Sequence, residues 1–130
     1  MRYTIIFTLL FLSLFIFIHD GQSQPAKATH KELIGRWVRP DGGYTLLIKA
    51  VNDDGSIDAA YFNPNPINVS KAQVSTESGK TNIFVELRDV GYPGSYYTLV
   101  YDPDSDRLAG VYHHLVLKQN FDVYFVRENR

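Results

Sequence analysis

The sequence contains no cysteine and a single tryptophan. The missing cysteines exclude disulfides, thiolate metal ligands, a catalytic thiol and a lipid-modified cysteine behind an export signal. A folded domain made from this chain must therefore depend on core packing and on backbone hydrogen bonds.

The sequence also has no excess of charge of one sign. It contains 13 Lys and Arg residues against 14 Asp and Glu residues, and its formal net charge is −1. A nucleic-acid-binding surface needs clustered basic residues. We therefore expect no nucleic-acid partner.

The apolar run Thr4–Ile18 is shorter than the stretch of about 20 residues that a membrane helix needs. It follows the basic Arg2 and leads to the small residues Gly21 and Ser23. This pattern predicts a secretory signal peptide over residues 1–23, with cleavage near Ser23 and a periplasmic or extracellular mature protein. The alternative is an uncleaved N-terminal anchor, which would be the protein's one contact with a membrane.

After this signal, the sequence predicts a flexible leader over residues 24–32 and one domain over residues 33–130. No part of the domain shows a useful helical period. Short β-type runs alternate instead with links rich in Gly, Pro, Asn and Asp. The runs are Leu33–Val38, Tyr44–Val51, Ser56–Asn63, Ile67–Thr76, Thr81–Asp89, Ser95–Asp102, Arg107–Leu117 and Asn120–Arg127.

Links this short join antiparallel neighbours, because a parallel pair needs a longer crossover. A meander of eight strands leaves two exposed edges unless the sheet closes on itself. The sequence therefore predicts an all-β fold, an eight-stranded antiparallel up-and-down β-barrel with meander topology.

The alternation of apolar and polar residues predicts which side chains face the interior. The inward residues are Tyr44, Leu46 and Ile48 on the second run and Ile57, Ala59, Tyr61 and Asn63 on the third. On the fifth run the Ile83–Val85–Leu87 face points inward, because burying Glu86 and Arg88 is costly. For the seventh run, the Tyr112/His114 face and the Val111/His113 face remain equally open.

The stretch "LIGRWVRPDGGYTLLIKAVNDDGSIDAAY" resembles the first three strands of the avidin family, and "YFVR" resembles its last strand. A Gly-x-Trp first strand with an arginine on the last strand is shared more widely by lipocalin-type barrels. The resemblance implies that Gly35, Trp37 and Arg127 close one end of the barrel. Trp37 would plug that end, Gly35 would allow close backbone approach, and Arg127 would stack on the indole.

The avidin resemblance also implies a biotin pocket and self-association. The family's polar positions near the first turn fall on Arg39 and on Gly43 or Tyr44, and those of the third strand fall on Tyr61 and Asn63. The family walls its pocket with tryptophans, but this chain has no second tryptophan. The polar contact of the last strand falls on Val123. We therefore expect avidin's shape without high-affinity biotin binding.

The leading functional hypothesis is a barrel that binds a small, partly apolar ligand without transforming it. Tyr44, Tyr61, Asn63 and Tyr112 are the predicted lining residues, because tyrosines offer apolar walls with orienting hydroxyls. The alternative is a barrel filled by its own side chains that acts as a structural or protein-interaction module. A hydrolase or isomerase is a third hypothesis.

Neither a metal nor a cofactor is expected. His113 and His114 are adjacent on a strand and so point to opposite faces, which prevents them from sharing an ion. The acidic residues of "NDDG" and "DPDSD" are typical turn formers. No serine lies in a Gly-x-Ser-x-Gly setting, and the sequence therefore gives no indication of an enzyme.

Overall fold

The computed structural model describes Gly21 and residues 27–129, and the other residues of the predicted signal peptide lie outside this range. A 3-10 helix, Lys31–Leu33, precedes the sheet and includes the last two residues of the expected leader. The nine strands are β1 (Gly35–Val38), β2 (Thr45–Val51), β3 (Ile57–Asn63), β4 (Asn65–Ile67), β5 (Val69–Glu77), β6 (Lys80–Asp89), β7 (Tyr92–Asp102), β8 (Arg107–His114) and β9 (Gln119–Arg127).

All nine strands form one antiparallel sheet in the order β4-β3-β2-β1-β9-β8-β7-β6-β5. The sheet curls until its two edges meet. There, Ser56 bridges to Gln73, and the amide of Val74 donates to the carbonyl of Gly55 at 2.8 Å. The molecule is therefore a nearly closed antiparallel β-barrel, which confirms the predicted fold class at that level.

The prediction of eight strands is wrong, because the expected run Ile67–Thr76 is divided at Asn68. The segment before it, β4, pairs with β3, and the segment after it, β5, pairs with β6. The Asn68 amide donates to the Asp89 carboxylate at 2.8 Å, and the Asn68 carbonyl accepts from the Arg88 amide at 3.0 Å. This change of partner depends on residues about twenty positions away, so local alternation does not show it.

The predicted inward faces of β2, β3 and β6 are confirmed for the residues that are buried in the core. These residues are Leu46, Ile48, Ile57, Tyr61, Ile83, Val85 and Leu87. On β8, the structure selects the face of Tyr112 and His114, because Tyr112 lies opposite the buried Tyr97 of β7. Glu86 and Arg88 point outward and form an ion pair at 3.1 Å.

The interior of the barrel is filled by its own side chains. Its largest fully buried residues are Trp37, Tyr61, Tyr97 and Phe125. Gly110 faces this interior, and a Cβ there would collide with the carbonyl oxygen of Thr98 on the neighbouring strand. A glycine at this position lets two strands approach closely where the sheet curves.

Trp37 and Arg127 lie together at one end of the barrel, which we call the closed end. Trp37 is fully buried, and its Nε1 donates to the carbonyl of Leu33 at 2.8 Å. The guanidinium carbon of Arg127 lies 4.2 Å from the centre of the tryptophan ring. A Cβ on Gly35, whose φ is 146°, would lie 2.7 Å from Arg127 Nη1. The bare backbone of Gly35 therefore leaves the space that the guanidinium occupies.

The guanidinium of Arg127 is also held by hydrogen bonds. It donates to both oxygens of Asp106, at 2.8 and 3.0 Å, and to the carbonyls of Ile34 and Glu32, at 2.9 and 2.6 Å. Tyr101 donates to Asp106 at 3.1 Å. Asp106 and Tyr101 were not predicted to take part in this closure, because both belong to a hairpin that is distant in sequence from Arg127.

Candidate ligand-binding site at the open end of the barrel

The opposite end of the barrel, which we call the open end, contains a pocket of about 190 Å³. All four residues predicted to line a ligand site border this pocket, together with three others. The complete lining is Tyr44, Tyr61, Asn63, Gly91, Tyr92, Tyr112 and His114. The structure therefore brings together side chains from four separate parts of the chain.

Strand alternation explains how these residues reach one pocket. Tyr61 and Asn63 are two residues apart on β3 and so share its inner face, as do Tyr112 and His114 on β8. Both pairs lie among the last three residues of strands that run towards the open end. Tyr44 precedes β2 there. Because neighbouring strands are antiparallel, the first residues of β2 and β7 lie at the same end of the barrel as the last residues of β3 and β8.

The floor of the pocket is formed by Tyr61, which borders the pocket, and by the buried Tyr97 behind it, which does not. The hydroxyl oxygens of Tyr61 and Tyr97 lie 2.7 Å apart. The ring of Tyr97 also stacks on Tyr112, with ring centres 4.6 Å apart. Burial raises the pKa of Tyr97 to about 12 and raises the pKa of Tyr61 further above its usual value. Both phenols are therefore neutral at physiological pH.

A buried arginine lies behind this floor. Only 8% of the Arg39 side chain is exposed, and its Nη1 donates to the Tyr97 hydroxyl at 3.0 Å. Its Nε and Nη2 donate to the two oxygens of Asp41, at 2.9 and 2.6 Å. The guanidinium carbon lies 4.1 Å from the centre of the Tyr44 ring. Arg39 thus connects the β1–β2 loop to the pocket wall.

The charges of Arg39 and Asp41 support each other. Burial would lower the pKa of Arg39, but its hydrogen bond to Asp41 and its interactions with Tyr97 outweigh that effect and raise it. The hydrogen bond to Arg39 lowers the pKa of the Asp41 carboxyl. The pair is therefore fully ionised at neutral pH.

Two polar side chains at the rim have fixed orientations. Asn63 Nδ2 donates to the Tyr92 hydroxyl at 2.7 Å. The Leu117 amide donates to His114 Nδ1 at 3.2 Å, and a neutral His114 therefore carries its proton on Nε2. The His114 ring makes an edge contact with Tyr112, with ring centres 5.6 Å apart.

Tyr92, Tyr97 and His114 were not predicted as members of this site, and Arg39 was placed there only by the avidin resemblance. Alternation on β7 did not identify Tyr97, because its Ser95–Tyr97–Leu99 face is no more apolar than the opposite Tyr96–Thr98–Val100 face. The burial of Arg39 had no local signal either, because arginine is mostly exposed and its tyrosine partner is distant in sequence. Among the described residues, no group of three His, Cys, Asp or Glu side chains lies close enough to hold a metal ion.

No protein-family model matches this chain, and no curated protein or solved structure matches it either. The likeness to avidin and lipocalin-type barrels therefore stays an interpretation of its residues. Within residue 21 and residues 27–129, no helix is long and apolar enough to cross a membrane.

Proposed function

We propose that this chain is an exported barrel protein that binds a small, partly apolar molecule at its open end and does not transform it. One observation supports this proposal above others: residues from the β1–β2 loop, β3, the start of β7 and β8 converge on a single pocket. Four of its seven lining residues are tyrosines, which provide flat apolar walls and hydroxyls that orient a ligand.

The size of the pocket limits the ligand. Sites for drug-sized molecules enclose about 300–1,000 Å³, whereas this pocket encloses about 190 Å³. Because the interior beneath it is filled by Tyr61, Tyr97 and Phe125, the ligand cannot enter more deeply. We therefore propose a ligand with about one ring in the pocket and any remaining part outside. The ring alone should bind with a Kd on the order of 0.1–1 mM.

The protonation state of the two buried tyrosines is compatible with binding. The pKa of Tyr97 is about 12 and that of Tyr61 is also raised, so neither phenol is a base at neutral pH. Neutral hydroxyls donate and accept hydrogen bonds, which suits recognition.

The proposal also includes export of the protein. If the apolar N-terminal run acts as a secretory signal peptide, the barrel is delivered outside the cytoplasm. The mass of the mature protein tests cleavage near Ser23.

Tyrosine-observed NMR can test the site directly. Para-cresol and benzamide are small aromatic probes that carry one polar group each. They should shift the ring signals of Tyr44, Tyr61, Tyr92 and Tyr112 in a saturable manner. Tyr124 lies on the outer face and is 41% exposed, and it serves as the internal control. Shifts that are absent, or that include Tyr124 equally, would contradict the proposal.

A second function, docking of a protein partner, is favoured by the apolar side chains around the open end. The turn between β8 and β9 exposes three consecutive apolar residues, Leu115, Val116 and Leu117, by 43%, 58% and 56%. Val90, in the turn between β6 and β7, is 94% exposed. Hairpin tips are normally polar, so this exposure calls for an explanation.

This second function predicts self-association or capture of a partner through the turn. Size-exclusion chromatography of the wild type and of a Leu115→Ser/Leu117→Ser variant tests self-association. A dimer that the double substitution converts to a monomer would support a second copy as the partner. A monomer in both cases would exclude this form of the second function.

A further inference from the structure

The two side chains of the Arg39–Asp41 ion pair differ strongly in their exposure to solvent. The arginine side chain is 8% exposed, whereas the aspartate side chain is 60% exposed. Arg39 is held from two other directions, by the Tyr97 hydroxyl at 3.0 Å and by the Tyr44 ring at 4.1 Å. Asp41 lies in the loop between β1 and β2, beside Gly42 and Gly43. The guanidinium would therefore stay in place if the carboxylate turned away.

The edge of the guanidinium that Asp41 covers is the one that recognises carboxylates best. Nε and Nη2 donate to the two Asp41 oxygens in parallel, which is the bidentate geometry of arginine–carboxylate recognition. A buried guanidinium left without an anion is strongly unfavourable. Any molecule that displaces Asp41 must therefore bring a negative charge of its own.

This edge is connected to the tyrosine pocket through one side chain. Tyr44 lies against the guanidinium and also borders the pocket. Its ring packs over Gly42, where a Cβ would lie only 2.5 Å from Tyr44 Cε2. Arg39 and Asp41 do not themselves border the pocket. A ligand whose apolar part contacts Tyr44 would therefore have to bring its anionic group to Arg39 from the exposed side of Asp41.

We propose that Asp41 occupies the position of a ligand carboxylate, and that the open-end site takes a small aromatic carboxylate whose anionic group replaces Asp41 on Arg39. This inference rests on the proposed function, because the same pocket holds the aromatic part of the ligand. It adds the chemical class of the ligand, and it identifies the Asp41 carboxylate as an internal competitor of the ligand for Arg39.

The inference predicts how removal of the Asp41 charge changes affinity. The apparent Kd of a ligand increases in inverse proportion to the fraction of protein that is competent to bind it. If the internal pair is formed about 90% of the time, Asp41→Asn should tighten the binding of benzoate by about tenfold. Benzamide has the same ring without the charge, and its affinity should not change.

Isothermal titration of the full mature chain with benzoate and with benzamide tests this prediction. Glu128→Gln is the matched control, because Glu128 pairs with the half-exposed Arg36 far from the site. It should bind both probes as the wild type does. Equal benzoate affinity in the wild type and Asp41→Asn, or an equal gain for benzamide, would overturn the inference. Benzamide binding in either case would leave the proposed function intact.

A second measurement covers the case in which Asp41→Asn does not fold. In the wild type, saturating benzoate should shift the NMR signal of Arg39 Nε–H, and benzamide at the same occupancy should not. An unchanged Arg39 signal at saturation would overturn the inference. If neither probe binds the wild type or the variant, the proposed function fails and this inference fails with it.

Discussion

The guanidinium of Arg127 lies 4.2 Å from the centre of the Trp37 ring, and the two residues are backbone partners on neighbouring strands. This contact joins the last strand to the first at the closed end. Because the chain has no cysteine, packing of this kind takes the place of a covalent link between its ends.

Replacing Trp37 should strongly destabilise the barrel. Trp37→Ala leaves a large cavity and removes the stacking partner of Arg127, so the free energy of unfolding should fall by about 3–5 kcal/mol. Urea unfolding followed by circular dichroism measures the change. Tyr124→Ala, on the exposed outer face, should cost less than about 1 kcal/mol. Equal losses in the two variants would refute the role of Trp37 as a plug.

A single methyl group at Gly110 should also be costly. Gly110→Ala forces a Cβ against the Thr98 carbonyl oxygen, so we expect a loss of about 1–3 kcal/mol in stability. Gly43→Ala is the control, because a Cβ there meets no atom within 4 Å. It should change the stability by less than about 0.5 kcal/mol. The same denaturation experiment checks both, and an unaffected Gly110→Ala protein would contradict the close approach.

The two tyrosines at the floor of the pocket should differ in their contribution to stability. Tyr97→Phe removes the hydroxyl that contacts both Arg39 and Tyr61, and should cost about 1–3 kcal/mol. Tyr61→Phe removes one hydroxyl contact and should cost about 1 kcal/mol. Thermal unfolding of both single variants and the double variant gives their coupling. A larger loss for Tyr61→Phe would show that Arg39 does not depend on Tyr97.

Alkaline pH should destabilise the protein through the same tyrosines. The pKa of Tyr97 rises from 10.0 to about 12 in the folded state. Between these values the unfolded chain has released the proton and the folded chain has kept it. Stability therefore falls as the pH rises from 10 to 12, by up to about 1.4 kcal/mol per pH unit for this group. Stability that is constant over this interval in the wild type would contradict the assignment.

Tyr97→Phe provides the control for that pH dependence. Phenylalanine has no proton to release, so the alkaline loss of stability should be smaller in this variant than in the wild type. Phenolate absorbance, recorded as the pH is raised, gives an independent measurement. The wild type should retain a group of tyrosines that ionise only when the barrel unfolds.

Much of the candidate site was accessible to sequence reasoning. Alternation on β3 places Tyr61 and Asn63 on one face, and glycine-rich or proline-rich links mark most of the turns. The face of β8 was not accessible, because both of its faces mix apolar and polar residues. It is the pairing of Tyr112 with Tyr97 that orients this strand. The division at Asn68 was not predicted for a similar reason, since the β-branched residues Ile67 and Val69 continue the strand pattern across it.

Arg39 shows most clearly why the rest required the folded chain. Its sequence neighbours explain the ion pair with Asp41, but its burial depends on Tyr97, 58 positions away. The preference of a side chain for one face of a strand is local, and it is visible in the sequence as alternation of apolar and polar residues. Curling the sheet is what brings Gln73 to Ser56 and Tyr97 to Arg39. Local patterning thus encodes most of the strands and the inner faces of β2, β3 and β6, whereas closure of the barrel creates the pocket and the buried charge behind it.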